Sequence, residues 1–108
     1  MDAAALARRR AALEKRRAEL ERRLHRIEDE LDETPDPDFG DRATERSGDE
    51  ALEDLGTAGL AELRAIAAAM DRIEAGTYGD CVRCGEAIEP ARLDALPHTP
   101  FCAACARA

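Results

Sequence analysis

The chain opens with a segment in which leucine and isoleucine recur every seven residues. One position of this seven-residue repeat is occupied by Leu6, Leu13, Leu20 and Ile27. A second position is occupied near the end of the segment by Leu24 and Leu31. Such a repeat places one apolar stripe along a helix and is typical of a coiled-coil seam. Arg10 and Arg17 occupy the earlier second positions, so the seam begins polar. The pattern predicts one helix over residues 3–33.

A helix-breaking segment with two prolines and a glycine separates this predicted helix from a second stretch with an apolar stripe. Pro35 and Pro37 disfavour helix in the residues that precede them, and Gly40 adds backbone freedom, so a turn is predicted here. Beyond the turn, apolar residues recur mostly three or four apart up to about Ala75, with a gap at Gly59. The stripe consists of Leu52, Leu55, Leu63, Ile66, Met70 and Ile73. This spacing predicts a second long helix.

The two ends of the second helix differ in how clearly they are marked. Asp41 would cap an early first turn, whereas Ser47 with Glu50 forms a capping box further on. Glycine costs about 1 kcal/mol relative to alanine inside a helix, so the N-terminal third is expected to bend or fray. The glycines concerned are Gly48, Gly56 and Gly59. Gly76 is predicted to end the helix.

Two long helices joined by a short turn are expected to pack as an antiparallel hairpin. Homodimerisation through the same stripes is the alternative, and the short connection favours the hairpin. Charged residues make up 37% of the 108 residues, and aromatic residues only 3%. The chain therefore has too few large apolar side chains to form a thick globular core. A chain of this kind needs a staple such as disulfides or a metal. We therefore expect a mainly α fold, with a coiled-coil hairpin over 1–75 and a small finger over 76–108.

Charge is distributed unevenly along the chain. Residues 1–27 carry nine basic and four acidic groups, whereas residues 28–56 carry two basic and thirteen acidic groups. The net charge of −8 opposes binding to phosphate backbones, so direct DNA binding is not expected. No apolar run is long enough for a transmembrane helix, and the start lacks the apolar region of a secretory signal. A cytoplasmic location is expected, with an organelle transit peptide as a weaker alternative.

Four cysteines carry the most specific chemistry in the sequence. Cys81 and Cys84 form one CxxC pair, and Cys102 and Cys105 form a second pair after seventeen intervening residues. Two such pairs fit a four-cysteine zinc site, because each short loop presents two thiolates to one ion. Four thiolates leave no open coordination position, so one structural zinc ion is expected rather than a catalytic one. A redox dithiol, or reduced cysteines without a role in metal binding, is the alternative interpretation.

Nearby residues have more ordinary roles in this prediction. His98 precedes the second pair by four residues and is interpreted as a loop residue, because four cysteines already complete the site. The finger needs apolar packing, and only a few large apolar side chains surround the cysteines. These are Tyr78, Ile88, Leu93, Leu96 and Phe101. Because the site is closed and no His/Asp/Ser constellation is present, an enzyme is not expected.

The segment from Gly76 to Gly85, followed by Arg92-Leu93, Thr99 and the second cysteine pair, closely resembles the DksA/TraR-type four-cysteine zinc finger. The predicted hairpin matches the coiled coil of the same family. The resemblance implies a transcription regulator that enters the secondary channel of bacterial RNA polymerase and acts there through a D-x-x-D-x-A motif at the hairpin turn. Asp38, Asp41 and Ala43 match that motif within an acidic tip at about 34–47.

Two departures from the longer family members qualify the resemblance. The first helix begins almost at once, and the chain stops three residues after Cys105, without the C-terminal helix that contributes to the guanosine tetraphosphate (ppGpp) site. These departures put ppGpp binding in doubt and point to a short DksA-like paralogue, expected to be a monomer. The other function that the fold allows is a zinc-stabilised coiled-coil adaptor that binds another protein partner.

Overall fold

The computed structural model describes the backbone of residues 1–32 and 40–107 and the side chains of residues 1–29 and 53–107. The described residues form four helices: α1 (Ala3–Asp32), α2 (Gly40–Ala75), α3 (Pro90–Ala95) and α4 (Ala103–Ala106). The expected mainly α fold is confirmed, and the predicted turn at 34–39 lies outside the described residues. None of the helices described is both long enough and apolar enough to cross a membrane.

Helix α1 covers all the described residues of the predicted range 3–33, from Ala3 to Asp32. Its first turn is capped by Asp2. The Asp2 carboxylate accepts a hydrogen bond of 2.7 Å from the backbone N–H of Ala5, and the Asp2 carbonyl accepts one of 3.0 Å from Leu6. A side-chain acceptor at this position satisfies a backbone donor that has no partner within the helix.

Helix α2 is described from Gly40, one residue before Asp41, the earlier of the two predicted caps, and it ends at Ala75 as predicted. Gly76 has a positive φ of 76°, and its N–H donates to the carbonyl of Ile73. The N–H of Thr77 donates to the carbonyl of Arg72. This pair of bonds is the Schellman motif, in which glycine adopts the left-handed conformation that closes the helix.

The expected bend in the N-terminal part of α2 is confirmed at Gly56. The backbone there has φ 88° and ψ 161°, outside the helical range, with helix on both sides. Glycine alone adopts such angles readily, since it has no Cβ atom.

The chain forms two compact units, Met1–Arg17 with Glu62–Ala108 and Ala18–Ala61. In the first unit, Arg10 pairs with Glu74 and Arg16 pairs with Glu62. The later arginine on α1 pairs with the earlier glutamate on α2. These parts of the two helices therefore run antiparallel, as expected for the hairpin. The buried apolar side chains of this unit that come from the long helices are Leu13, Ile66, Ala69 and Ile73.

The second unit also has a buried apolar interior. Its buried side chains, among those described, are Leu20 and Leu55, and Leu24 and Ile27 are half-buried. Leu20 lies one heptad after Leu13, and both are almost fully buried. The predicted seam therefore forms in both units.

Candidate metal centre

The first cysteine pair lies in a tight loop after Gly76. The N–H of Cys81 donates to the carbonyl of Glu86 at 2.8 Å, and the N–H of Gly85 donates back to the carbonyl of Cys81 at 2.9 Å. Gly85 has a φ of 79°, which allows the chain to reverse directly after Cys84. An isolated antiparallel bridge between Asp80 and Ala87 closes the loop. Both thiols are thereby presented on one side of a rigid turn.

The second cysteine pair spans the start of α4. Cys102 is the N-cap of this short helix, and its sulfur accepts a hydrogen bond of 3.5 Å from the backbone N–H of Cys105. The two cysteine loops are joined directly, because the N–H of Val82 donates to the carbonyl of Pro100 at 2.9 Å. This backbone contact brings the second pair beside the first.

The four sulfur atoms converge on one point. The Sγ atoms of Cys81, Cys84, Cys102 and Cys105 all lie within 4.8 Å of one another, and those of Cys84 and Cys102 are 3.8 Å apart. In a tetrahedral zinc site with Zn–S bonds of about 2.3 Å, neighbouring sulfurs are about 3.8 Å apart. The donor set and its spacing therefore fit one structural zinc ion, as the sequence predicted.

As free thiols, these cysteines differ strongly in acidity. Hydrogen bonds from backbone groups, first that of Cys102, lower the pKa of Cys81 to about 6. Hydrogen bonds with the side chains of Cys102 and Cys84 raise the pKa of Cys105 to about 12. The Cys81 thiolate thus forms easily, while Cys105 holds its proton. Because zinc binds thiolates, it has to displace that proton.

Side chains from α3 and the following loop hold the second cysteine pair in place. Nε of Arg92 donates to the carbonyl of Phe101 at 2.9 Å, directly before Cys102. The buried hydroxyl of Thr99 donates to the same carbonyl and accepts from the N–H of Phe101. The sequence motif contained Arg92 and Thr99, but their supporting role was missed, since it depends on a fold that spacing does not show.

The predicted apolar filling of the finger is partly wrong. Tyr78, Ile88 and Leu93 are buried as expected, whereas Leu96 and Phe101 are 40% and 37% exposed. The loop that contains Leu96 is held instead by polar contacts with its backbone. The hydroxyl of Tyr78 donates to the carbonyl of Pro97 at 2.8 Å, and Arg72 donates to the carbonyl of His98 at 3.4 Å. Backbone anchoring leaves the Leu96 side chain free to face outward.

An ion pair joins α1 to the finger. Nη1 of Arg9 lies 2.6 Å from Oδ1 of Asp94, and the Arg9 side chain is only 11% exposed. Its second terminal nitrogen donates to the carbonyl of Pro90 at 3.5 Å. This contact fixes α3 against the first helix, and no local pattern in the sequence signals it.

The predicted tip residues lie elsewhere in the chain. Asp38 is outside the described residues. Asp41 and Ala43 lie in α2, and their side chains are outside the part of the chain for which side chains are described. Their roles stay predictions.

Comparison with known proteins identifies both parts of the chain. Residues 10–73 match the model of the DnaK suppressor protein-like N-terminal domain. Residues 76–108 match the prokaryotic dksA/traR C4-type zinc finger.

Two individual proteins are also similar to this chain. The solution structure of a DnaK suppressor protein from Agrobacterium tumefaciens C58 is 51% identical, with a TM-score of 0.68, and covers 94% of this chain and 90% of that one. A protein of Aquifex aeolicus (strain VF5) described as uncharacterized is 50% identical over 58 residues. That match spans 54% of this chain and only 40% of the Aquifex protein.

The two family models follow one another along the chain in the order in which the helices and the converging cysteines occur. The chain therefore belongs to the DksA/TraR family, with a DnaK suppressor protein-like N-terminal domain and a C4-type zinc finger.

Proposed function

We propose that the protein is a cytoplasmic transcription regulator that binds bacterial RNA polymerase through the secondary channel, as a monomer and without direct contact to DNA. Asp38, Asp41 and Ala43 act at the tip near the polymerase active site. The observation that carries this proposal is the family match to residues 10–73 together with the adjoining C4 finger. Family membership supports a DksA/TraR-type regulator in general. Entry into the secondary channel and the action of the tip residues are proposed beyond that.

The helices and their charge support such a role. Helix α1 has 30 residues, which corresponds to a length of about 45 Å. Residues 28–56, which include the tip motif, carry thirteen acidic and two basic groups. Carboxylates brought close to metal ions or basic residues act on them electrostatically over short distances.

The finger has a structural role in this proposal. Cys81, Cys84, Cys102 and Cys105 bind one zinc ion, which leaves no position for a substrate and supports a non-enzymatic function. The hairpin over 1–75 and the finger over 76–108 are the two domains. Arg83, Arg92 and Arg107 are balanced by three acidic residues within 81–108, so the finger lacks the basic face of a DNA-binding module. Binding of ppGpp is not part of the proposal.

The test is binding to purified RNA polymerase core, with a Gre-type transcript cleavage factor as competitor. We expect the protein to bind and the competitor to displace it, because both would occupy the same channel. Absence of binding, or binding that the competitor leaves unchanged, would contradict channel entry. The zinc-stabilised adaptor would then be the better description.

A double variant tests the tip. Asp38→Asn with Asp41→Asn should retain polymerase binding and lose the effect on transcription in vitro. The matched control is Asp54→Asn with Asp71→Asn, which removes the same charge from two exposed positions of α2 outside the motif. Equal transcription effects in the tip variant, the control and the unmodified protein would refute the assigned tip role.

A further inference from the structure

Helix α2 is interrupted at Gly56 by a conformation that other residues avoid. The backbone there has φ 88° and ψ 161°, with helix before and after it. In this region of backbone space an L side chain clashes with its own main chain, so the conformation is essentially confined to glycine. The break therefore requires glycine at this position, whereas a regular helix disfavours it.

The space around Gly56 is open. A Cβ atom built on this residue would meet no heavy atom within 4 Å. Glycine is therefore required at position 56 by the backbone angles and not by close packing. Substitution by alanine at this position consequently tests the angles alone.

Gly59 supports the same break in a different way. The buried side chain of Leu55 folds over Gly59, so a Cβ atom at Gly59 would lie 2.9 Å from Cγ and 3.4 Å from Cδ1 of Leu55. Cγ lies close to the main chain and cannot move aside without taking Leu55 out of its buried position. Gly56 thus supplies the angles of the break, and Gly59 supplies the space that Leu55 occupies.

We propose that Gly56 and Gly59 form a hinge in α2, which interconverts between the broken helix and a continuous one. The hinge sets the direction of the segment Gly40–Leu55. The functional meaning rests on the proposed function, because this segment contains Asp41 and Ala43 of the tip motif. Gly56 is in that sense a positioning residue, which acts on the tip through the helix and contacts no partner itself.

Each of the two conformations has one local advantage. The broken form buries Leu55, whereas the continuous form has regular helical angles throughout. Alanine at position 56 would favour the continuous form for two reasons. It stabilises helix relative to glycine, and it is strained at the backbone angles of the broken form. Together these effects amount to a shift in the equilibrium on the order of 30- to 1,000-fold.

The direct test is NMR of the zinc-loaded full chain. In the unmodified protein we expect a non-helical carbon chemical shift at Gly56, and N–H dipolar couplings of 53–55 and 57–61 that do not fit one straight helix. In Gly56→Ala, both observations should become those of a continuous helix. Thr57→Ala is the matched control, an exposed neighbour where alanine raises helix propensity without changing the angles at Gly56.

Two outcomes overturn the hinge. Either the couplings of the unmodified protein fit one straight helix, or Gly56→Ala keeps the break. Gly59→Ala provides an independent variant, which should also shift α2 toward the continuous helix, because its methyl group competes with Leu55. A break that persists unchanged in Gly59→Ala would refute the part assigned to Gly59 and Leu55.

A polymerase assay separates this inference from the proposed function. If the unmodified protein binds polymerase, Gly56→Ala should alter its effect on transcription several-fold, and Thr57→Ala should not. An unaltered effect in Gly56→Ala would overturn the positioning role. If the unmodified protein does not bind polymerase, the proposed function fails, and the NMR result still decides whether the hinge exists.

Discussion

The two compact units of this chain differ in the interactions that their described side chains make. In the unit formed by Met1–Arg17 and Glu62–Ala108, residues distant in the sequence meet through ion pairs, a buried tyrosine hydroxyl and four converging sulfur atoms. In Ala18–Ala61, the described buried side chains are Leu20 and Leu55, and a glycine breaks the helix next to Leu55. Directional contacts between distant residues are seen in the first unit, and buried leucines along the seam are what the described side chains of the second unit show.

This difference has a physical consequence for each unit. Polar contacts and metal ligands require particular distances and angles, so they define one arrangement of the finger and the adjoining helices. Apolar contacts are less directional and tolerate a change in helix direction. We therefore expect loss of zinc or of a buried contact to damage the first unit most.

Removal of zinc should produce the largest effect. The metal-binding free energy of small zinc modules is about 10–16 kcal/mol at neutral pH and appears as folding free energy. Chelation should therefore unfold the finger around Tyr78–Ala106 while helix persists in Ala18–Asp29. Amide NMR spectra before and after chelation measure this, with zinc re-addition as the control. Dispersed finger signals in protein shown to be metal-free would contradict the prediction.

Zinc binding should also strengthen as pH rises. The pKa of Cys105 as a free thiol is raised to about 12, and the pKa of Cys84 is also raised. Both are protonated at neutral pH, and zinc must displace their protons, so acidification favours the metal-free form. Competition with a chromogenic chelator at several pH values measures the trend. Affinity that is independent of pH would contradict it.

The next largest effect on stability should come from replacing a buried leucine of the seam by alanine. Leu13 is 1% exposed, and Leu13→Ala should lower the free energy of unfolding by about 2–5 kcal/mol through a cavity. Urea unfolding measures the loss, and the exposed neighbour Glu14→Ala serves as the control. Leu20→Ala probes the same seam in the second unit, where Leu20 is 2% exposed. A loss below 1 kcal/mol in Leu13→Ala would mean that the seam is not tightly packed.

A smaller effect is expected from Tyr78→Phe, which removes the donor to the carbonyl of Pro97. The expected loss is about 1 kcal/mol. Burial raises the pKa of Tyr78 above its ordinary value of 10.0. The folded state therefore favours the neutral phenol, and this contribution is complete below pH 10.0 and declines as pH rises through the folded pKa.

Absorbance can follow this titration cleanly, because Tyr78 is the only tyrosine in the chain. The midpoint in the folded protein should lie above that in denaturant. Equal midpoints would show that the phenol is not buried. Tyr78→Phe should abolish the alkaline loss of stability that this group causes.

The smallest effect should come from the ion pair between Arg16 and Glu62. Glu62→Gln should cost about 0.5 kcal/mol, since the pair is partly exposed and screened. The hydrogen bond from Arg16 lowers the pKa of Glu62 below 4.5. Its contribution is therefore present above pH 4.5 and is lost as pH falls through the folded pKa.

Unfolding of Glu62→Gln at low and high salt measures this contribution. The exposed Glu53→Gln is the control, with the same change in charge on α2. An equal loss in both variants would mean that the pair itself contributes nothing.

Local sequence signals predicted most of the helical framework. Helix α1 was predicted over all its described residues, and Gly76 correctly marked the end of α2. These features depend on periodicity, capping and glycine conformation, which act over a few residues. The cysteine pairs were equally clear, because their short spacing is what a shared metal requires.

The failures concern side chains whose surroundings come from distant parts of the chain. Leu96 and Phe101 were predicted to be buried and are exposed, whereas Thr99 is buried and was given no role. Arg9 looked like one of many basic residues on the first helix, yet it pairs with Asp94 and is nearly buried. Hydrophobicity alone did not identify which of these residues the finger encloses.

By itself, the sequence determined the two long helices, the glycine that ends the second and the four zinc-ligating candidates, because each depends on residues close together in the chain. Only the tertiary structure decided which charges are buried and how the finger is fastened to α1. These outcomes depend on contacts across many tens of residues, such as that of Arg9 with Asp94, and the energy of such contacts exists only once the chain has folded.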